Sequence, residues 1–184
     1  ATRILGVSLD ENLLMIEDTV AYLKKQGRQV IFDAEHFFDG YKNNPEYALK
    51  AIYAAEVGGA DFIVLCDTNG GSMPHEVSAI MKQVNLRCQT KLGIHTHNDC
   101  GLALANSLVS VQEGASMVQG TINGYGERCG NVDLISVVGN LHFKLGAQCV
   151  SEKSVGQLTE LSRFVSEVAN IPPRNQRPFV GKSA

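Results

Sequence analysis

Leu92-Gly93-Ile94-His95-Thr96-His97-Asn98-Asp99 is the stretch from which the rest of the chain can be read. It opens apolar and then sets two histidines two residues apart. On a β-strand, residues i and i+2 share a face, so the two imidazoles stand side by side. Such a pair suits adjacent positions on one divalent cation. Asn98 and Asp99 have the chemistry of a turn and of the N-cap of a following helix. A strand with ligands at its C-terminal end, followed by a helix, is how α/β barrels and open α/β sheets build active sites.

Outward from this stretch the strand-then-helix pattern repeats. Upstream, Phe62-Ile63-Val64-Leu65 is a continuous apolar run closed by Asp67-Thr68-Asn69-Gly70-Gly71. Pro74 then opens a helix carrying Val77, Ile80, Met81 and Val84. Before that, Val30-Ile31-Phe32 leads into Asp33-Ala34-Glu35-His36. Phe37 to Asn44 reads as a loop, and Asn44-Pro45 starts a helix that runs through Leu49, Ile52 and Ala55. Ser8 and Glu11 form a capping box for a first helix, which carries Leu13, Ile16, Val20 and Leu23 and stops at Gly27. Downstream, a helix with Leu104, Leu108 and Val111 ends at Gly114, and Met117-Val118 begins a fourth strand. Leu134, Val138, Leu141 and Leu145 mark the next helix, and Val155 to Val168 reads as one last helix before Pro172-Pro173.

The four strands start about 25 to 32 residues apart, and each is followed by a helix. Strands apolar on both faces and alternating with helices imply a parallel α/β sheet covered by helices. The spacing fits a (β/α)8 TIM barrel, but a barrel needs eight strands and roughly 250 residues. A small doubly wound domain is the other arrangement it allows. Because the first element is a helix with no strand before it, the reading is an N-terminally truncated fragment. Residues 1–171 are then the C-terminal half of a TIM barrel, and residues 172–184 begin a linker to a further region.

Bulk properties narrow the function. The 184 residues are 44% hydrophobic and 19% charged, an ordinary globular composition. The net charge of −3 argues against nucleic acid or an anionic membrane as partner. No apolar run approaches a membrane span. Cys66, Cys88, Cys100, Cys129 and Cys149 are scattered and contain no C-x-x-C, which fits free thiols in a reducing cytoplasm.

Polar residues collect just after each strand: Asp33, Glu35 and His36; Asp67, Thr68 and Asn69; His95, His97, Asn98 and Asp99; Thr121, Asn123, Glu127, Arg128 and Asn131. Singly, each has a structural use. Asp67 and Asp99 are possible N-caps, Asn123-Gly124 is a turn, and Asp33 could pair with a neighbouring strand. Together they load one end of the sheet, the active face of a barrel.

Two of these segments carry a resemblance. His95-Thr96-His97-Asn98-Asp99-Cys100-Gly101-Leu102-Ala103 and Asn123-Gly124-Tyr125-Gly126-Glu127-Arg128-Cys129-Gly130-Asn131 resemble the signatures of the 2-isopropylmalate, homocitrate and citramalate synthase family. These are barrel enzymes that condense acetyl-CoA with a 2-oxo acid. Phe32 to Lys42 and Arg177 to Ala184 look most like the citramalate synthase branch, whose oxo acid is pyruvate. The resemblance implies roles by position. His95, His97 and Asn131 match metal ligands, Glu35 matches a glutamate near the acetyl-CoA methyl group, and Thr68 matches a threonine that binds the oxo-acid carboxylate. The implied cofactor is Mg²⁺, Mn²⁺ or Zn²⁺, acting as a Lewis acid on the keto group. The implied partners are acetyl-CoA and the oxo acid, with a homodimer as the assembly.

Two departures qualify the resemblance. The family's fourth protein ligand is an aspartate in a D-x-T-L-R-D-G motif, with an arginine beside it, and this chain has no such motif. The 184 residues alone are therefore expected to be inactive. The related acyl-CoA lyases use a cysteine nine residues before the ligand asparagine, where this chain has Ile122. That disfavours the lyase reading, and Cys129 is out of register for it.

Overall fold

The computed structural model describes residues 5–182. Helix α1 (Leu9–Lys25) leads into strand β1 (Ile31–Ala34), then helices α2 (Phe37–Asn43) and α3 (Pro45–Val57). Strand β2 (Phe62–Asp67), helix α4 (Pro74–Asn85), strand β3 (Lys91–Thr96) and helix α5 (Ala103–Gln112) follow. Strand β4 (Met117–Gln119), a 3-10 turn at Ile122–Gly124 and helices α6 (Leu134–Phe143), α7 (Glu152–Gly156) and α8 (Leu158–Val168) complete the order. The strands form one parallel sheet in the order β1-β2-β3-β4. This is the expected α/β architecture, four of the eight strand–helix units of a TIM barrel.

The helix starts follow the sequence chemistry. Ser8 Oγ accepts from the Glu11 N–H at 3.0 Å, and Asn44 Oδ1 from the Tyr47 N–H at 3.1 Å ahead of Pro45. Alternation within the strands then sorts side chains between two faces. Ala34, Ile63, Leu65, Leu92 and Ile94 pack outward against Ile52, Ala55, Val77, Ile80, Met81 and Val84 of the helices. Each fully buried aliphatic side chain there contributes about 1.5–3 kcal/mol. A second cluster, Ala103, Val132, Val137 and Leu141, lies around α5 and α6.

The other face carries the chemistry. Cys66 is in register with His95, and His95 with Gln119. Gln119 Nε2 donates to Asp33 Oδ1 at 2.9 Å, joining the strands at the two ends of the sheet. In a flat sheet those strands would lie three spacings apart, roughly 14 Å. The contact therefore requires the sheet to curl, as it does in a barrel, with this face concave.

Several local expectations are corrected. Phe37 to Asn43 is not a loop but the short helix α2, entered through His36 in the left-handed conformation at φ 56°. Burial of Phe37 and Phe38 selects it. The last helix is broken into α7 and α8 at Gln157, and α6 stops at Phe143. Asp99 and Asp67 are not N-caps. Leu102 and Met73 occupy those positions, while the Asp67 carboxylate accepts from the Ser72 hydroxyl at 3.0 Å.

The five cysteines are free, with Cys66 and Cys88 buried. Burial, with the Glu56 carboxylate beside it, pushes the Cys88 thiol up to about 11. Burial raises Cys66 further, helped by Asp33 and Glu35. Both stay protonated at neutral pH and are poor nucleophiles. Among the described residues no helix is long and apolar enough to cross a membrane.

Candidate metal centre

Strand β3 sets His95 on the concave face, and His97 follows two residues later. Their ring centroids are 5.2 Å apart and the planes are inclined by 33°. Between them Thr96 faces the helices and bonds the Ser107 hydroxyl at 2.9 Å. The chain then returns to the strand end. Asn98 N–H donates to Gly130 O at 2.9 Å and Val132 N–H to Thr96 O at 3.0 Å, which brings Asn131 opposite His97 in an antiparallel bridge. Asn131 Oδ1 lies 2.9 Å from His95 Nε2, and its Nδ2 donates to Tyr125 O at 3.3 Å. Gly126 and Gly130 permit this turn. A Cβ at Gly126 would overlap Asn131 Nδ2, and one at Gly130 would overlap Gly124 O.

These side chains fit a divalent cation on two observations. Two ligand atoms about 2.1 Å from one ion and at right angles lie about 3 Å apart, and His95 Nε2 and Asn131 Oδ1 have that spacing. In addition, His97 Nδ1 is buried with no hydrogen-bond partner. An uncompensated buried polar atom costs about 1–3 kcal/mol. Among the described residues no third His, Cys, Asp or Glu joins the pair. The third donor is the neutral amide of Asn131.

Thr68 and Glu35 lie at neighbouring strand ends. Thr68 Oγ1 accepts from the His36 N–H at 2.8 Å. That uses the hydroxyl as an acceptor and leaves its own proton free to donate. Glu35 is exposed just past β1, close enough to Cys66 for its carboxylate to raise that thiol. Of the other histidines, His75 is exposed, and His142 is partly buried, 3.5 Å from the Glu152 carboxylate.

Two features of the site escaped the sequence reading. One is Gln119, whose Oε1 lies 2.9 Å from His95 Nδ1. Its signal was a polar residue two positions after Met117, at the C-terminal end of the strand, where its side chain shares a sheet face with His95. The other is a staple formed by Arg128. Its Nε and Nη2 donate to the two Asp99 oxygens at 2.9 and 3.1 Å, and Nη2 also donates to Thr68 O at 2.6 Å. Arg128 holds this position with φ at 55°, a strained value for a residue with a side chain. One guanidinium thus ties together the loops after β2, β3 and β4.

The hydrogen bonds from Arg128 hold the Asp99 carboxyl below its usual range, and Asp99 raises Arg128 in return. Because the folded-state value is depressed, the pair's stabilisation is complete above the ordinary carboxylate pKa of about 3.9 and is lost as pH falls through the lowered value. Arg128→Met is expected to return Asp99 to the ordinary range, as read by carbon NMR titration of its carboxyl.

The chain is 55% identical to the (R)-citramalate synthase of Aquifex aeolicus, over 100% of this chain and 35% of that protein. It is 52% identical to the (R)-citramalate synthase of a Synechocystis species, over 98% of this chain and 34% of that protein. It thus spans about a third of the length of the curated relatives it matches. Among solved structures, the HMG-CoA lyase of Bacillus subtilis superposes with a TM-score of 0.77 at 19% identity, over 95% of this chain and 61% of that one. That likeness is one of fold. The family model described as HMGL-like matches residues 2–165, which take in every strand and nearly all of the helices described above. The chain belongs to the HMGL-like family.

Proposed function

We propose that this chain supplies one half of the active site of a citramalate synthase, which joins acetyl-CoA to pyruvate. The observation that carries the reading is the meeting of His95, His97 and Asn131 at the C-terminal edge of β3 and the loop after β4. Identity above 50% to two citramalate synthases supports pyruvate over a larger oxo acid. On this reading the enzyme is an acyltransferase of the cytoplasm. The aspartate and arginine of the D-x-T-L-R-D-G motif come from outside these 184 residues.

His95 Nε2, Asn131 Oδ1 and the His97 ring would hold the ion. Their mixed nitrogen and oxygen donors suit Mg²⁺, Mn²⁺ or Zn²⁺. When bound, the ion supplies Lewis acidity to the keto group of the oxo acid. Thr68, its oxygen occupied by the His36 N–H, donates its proton to the oxo-acid carboxylate. Arg128 holds the Thr68 carbonyl and so the backbone that carries that hydroxyl. Glu35 orients the methyl end of acetyl-CoA on the same concave face. Cys66, protonated and buried behind it, takes no part as a nucleophile.

Among the described residues β1 and β4 are unpaired sheet edges, and Phe164 and Val168 of α8 are 61% and 72% exposed. Such edges and apolar surface are covered in a stable assembly. We assign that cover to the remainder of the protein and to a second copy in a homodimer.

The test is turnover of the full-length protein containing this chain, with Mn²⁺ and acetyl-CoA, offered pyruvate or 2-oxoisovalerate. Free coenzyme A should appear with pyruvate at a kcat/KM at least about tenfold above that with 2-oxoisovalerate, as two extra carbons in a fitted pocket would cost. A preference for 2-oxoisovalerate would move the protein to the 2-isopropylmalate branch. Cleavage of a hydroxyacyl-CoA without condensation would make it a lyase.

A further inference from the structure

Gln119 bridges two groups whose hydrogen-bonding roles differ in freedom. Its Nε2 faces the Asp33 carboxylate at 2.9 Å, and its Oε1 faces His95 Nδ1 at 2.9 Å. A carboxylate oxygen only accepts, so the amide must turn its NH2 towards Asp33. Its carbonyl oxygen is then the atom left for His95, and a carbonyl oxygen also only accepts. Nδ1 must therefore carry the proton, and in the neutral ring Nε2 keeps its lone pair.

The orientation of Asn131 is fixed by the same logic. Its Nδ2 donates to the carbonyl of Tyr125, so its Oδ1 is the atom turned to His95 Nε2 at 2.9 Å. Two lone pairs thus face each other across a gap that no proton of this tautomer fills. Imidazole ligands owe their tautomer to the partner of the other ring nitrogen.

We infer that Gln119, held by Asp33, is a positioning residue that fixes the Nδ1–H tautomer of His95, so that Nε2 and Asn131 Oδ1 present two lone pairs to a cation. This rests on the metal-site reading above, but its test needs neither metal nor turnover, so the two can fail separately.

The experiment is nitrogen NMR of the metal-free full-length protein containing this chain, labelled at histidine, at pH 8. The His95 signals are identified by their loss in His95→Gln. The expected result is a protonated, pyrrole-type Nδ1 and a bare, pyridine-type Nε2. In Gln119→Met the acceptor at Nδ1 is gone, and Asn131 Oδ1 becomes the better acceptor. The proton should then move to Nε2. Asp33→Asn, a near-isosteric change, frees Gln119 to turn over and should give a mixture of both tautomers. A wild-type ring protonated at Nε2, or at both nitrogens, would overturn the assignment. So would retention of the wild-type pattern in Gln119→Met or in Asp33→Asn, with the rest of the amide spectrum intact.

Discussion

Asn131→Ala in the full-length protein should lower condensation turnover by roughly a thousandfold, the equivalent of about 4 kcal/mol in the barrier. The substitution removes the oxygen 2.9 Å from His95 Nε2 and leaves the backbone bridge to His97 in place. It also removes the hydrogen bond to Tyr125 O, which contributes about 1 kcal/mol to stability. Thermal unfolding should thus move by only a few degrees while activity collapses. Asn131→Asp separates the two functions of the amide. It keeps an oxygen for the cation but sets a carboxylate against the Tyr125 carbonyl, so an intermediate loss is expected. Turnover with pyruvate, read beside a melting curve, distinguishes these cases. An Asn131→Ala enzyme with near wild-type kcat would remove the basis of the proposed function.

Gly70→Ala should have a large effect on folding. Gly70 sits at φ 60°, and a Cβ there would come within 2.8 Å of Asp99 N and 2.9 Å of the His97 carbonyl group. Both obstacles are backbone, so no side chain can swing away. The left-handed conformation costs an alanine about 1–2 kcal/mol, and relieving the overlap costs about 1–3 kcal/mol more. The sum is roughly 2–5 kcal/mol, or a fall in Tm of roughly 4–20 °C for a domain of this size. Gly101→Ala is the control. Gly101 has φ 71° but nothing within 4 Å of its Cβ position, so only the conformational cost of about 1–2 kcal/mol remains. Equal melting temperatures for the two variants would mean that the loop after β2 does not press against the turn after His97.

The sheet was legible because its signals are local. Val30, Phe62, Leu92 and Met117 each begin or adjoin an apolar run, and Ser8 and Asn44-Pro45 announce their helices within three residues. The meeting of His95 with His97 follows from strand alternation alone. Their meeting with Asn131 does not, and only the resemblance to known signatures anticipated it. What was missed depends on long-range contact. Helix α2 is only seven residues long, too short for the spacing of Phe37, Phe38 and Tyr41 to stand out, and the pocket that buries Phe37 and Phe38 selects it. The break at Gln157 is hidden because the apolar spacing from Val155 to Val168 continues through it. Asp99 has the composition of an N-cap, yet its partner is Arg128, 29 residues on. Gln119 closes a contact with Asp33 across 86 residues, which no periodicity encodes.

The strand order β1-β2-β3-β4 gives β2, β3 and β4 each a neighbour made just before it. During synthesis each strand–helix unit can therefore dock onto the edge left by its predecessor, with no earlier pairing to undo. The Gln119–Asp33 bridge is the exception, since it waits for the fourth strand to leave the ribosome. The histidine beside it thus matures only after β4 has been made, well after its own strand has docked.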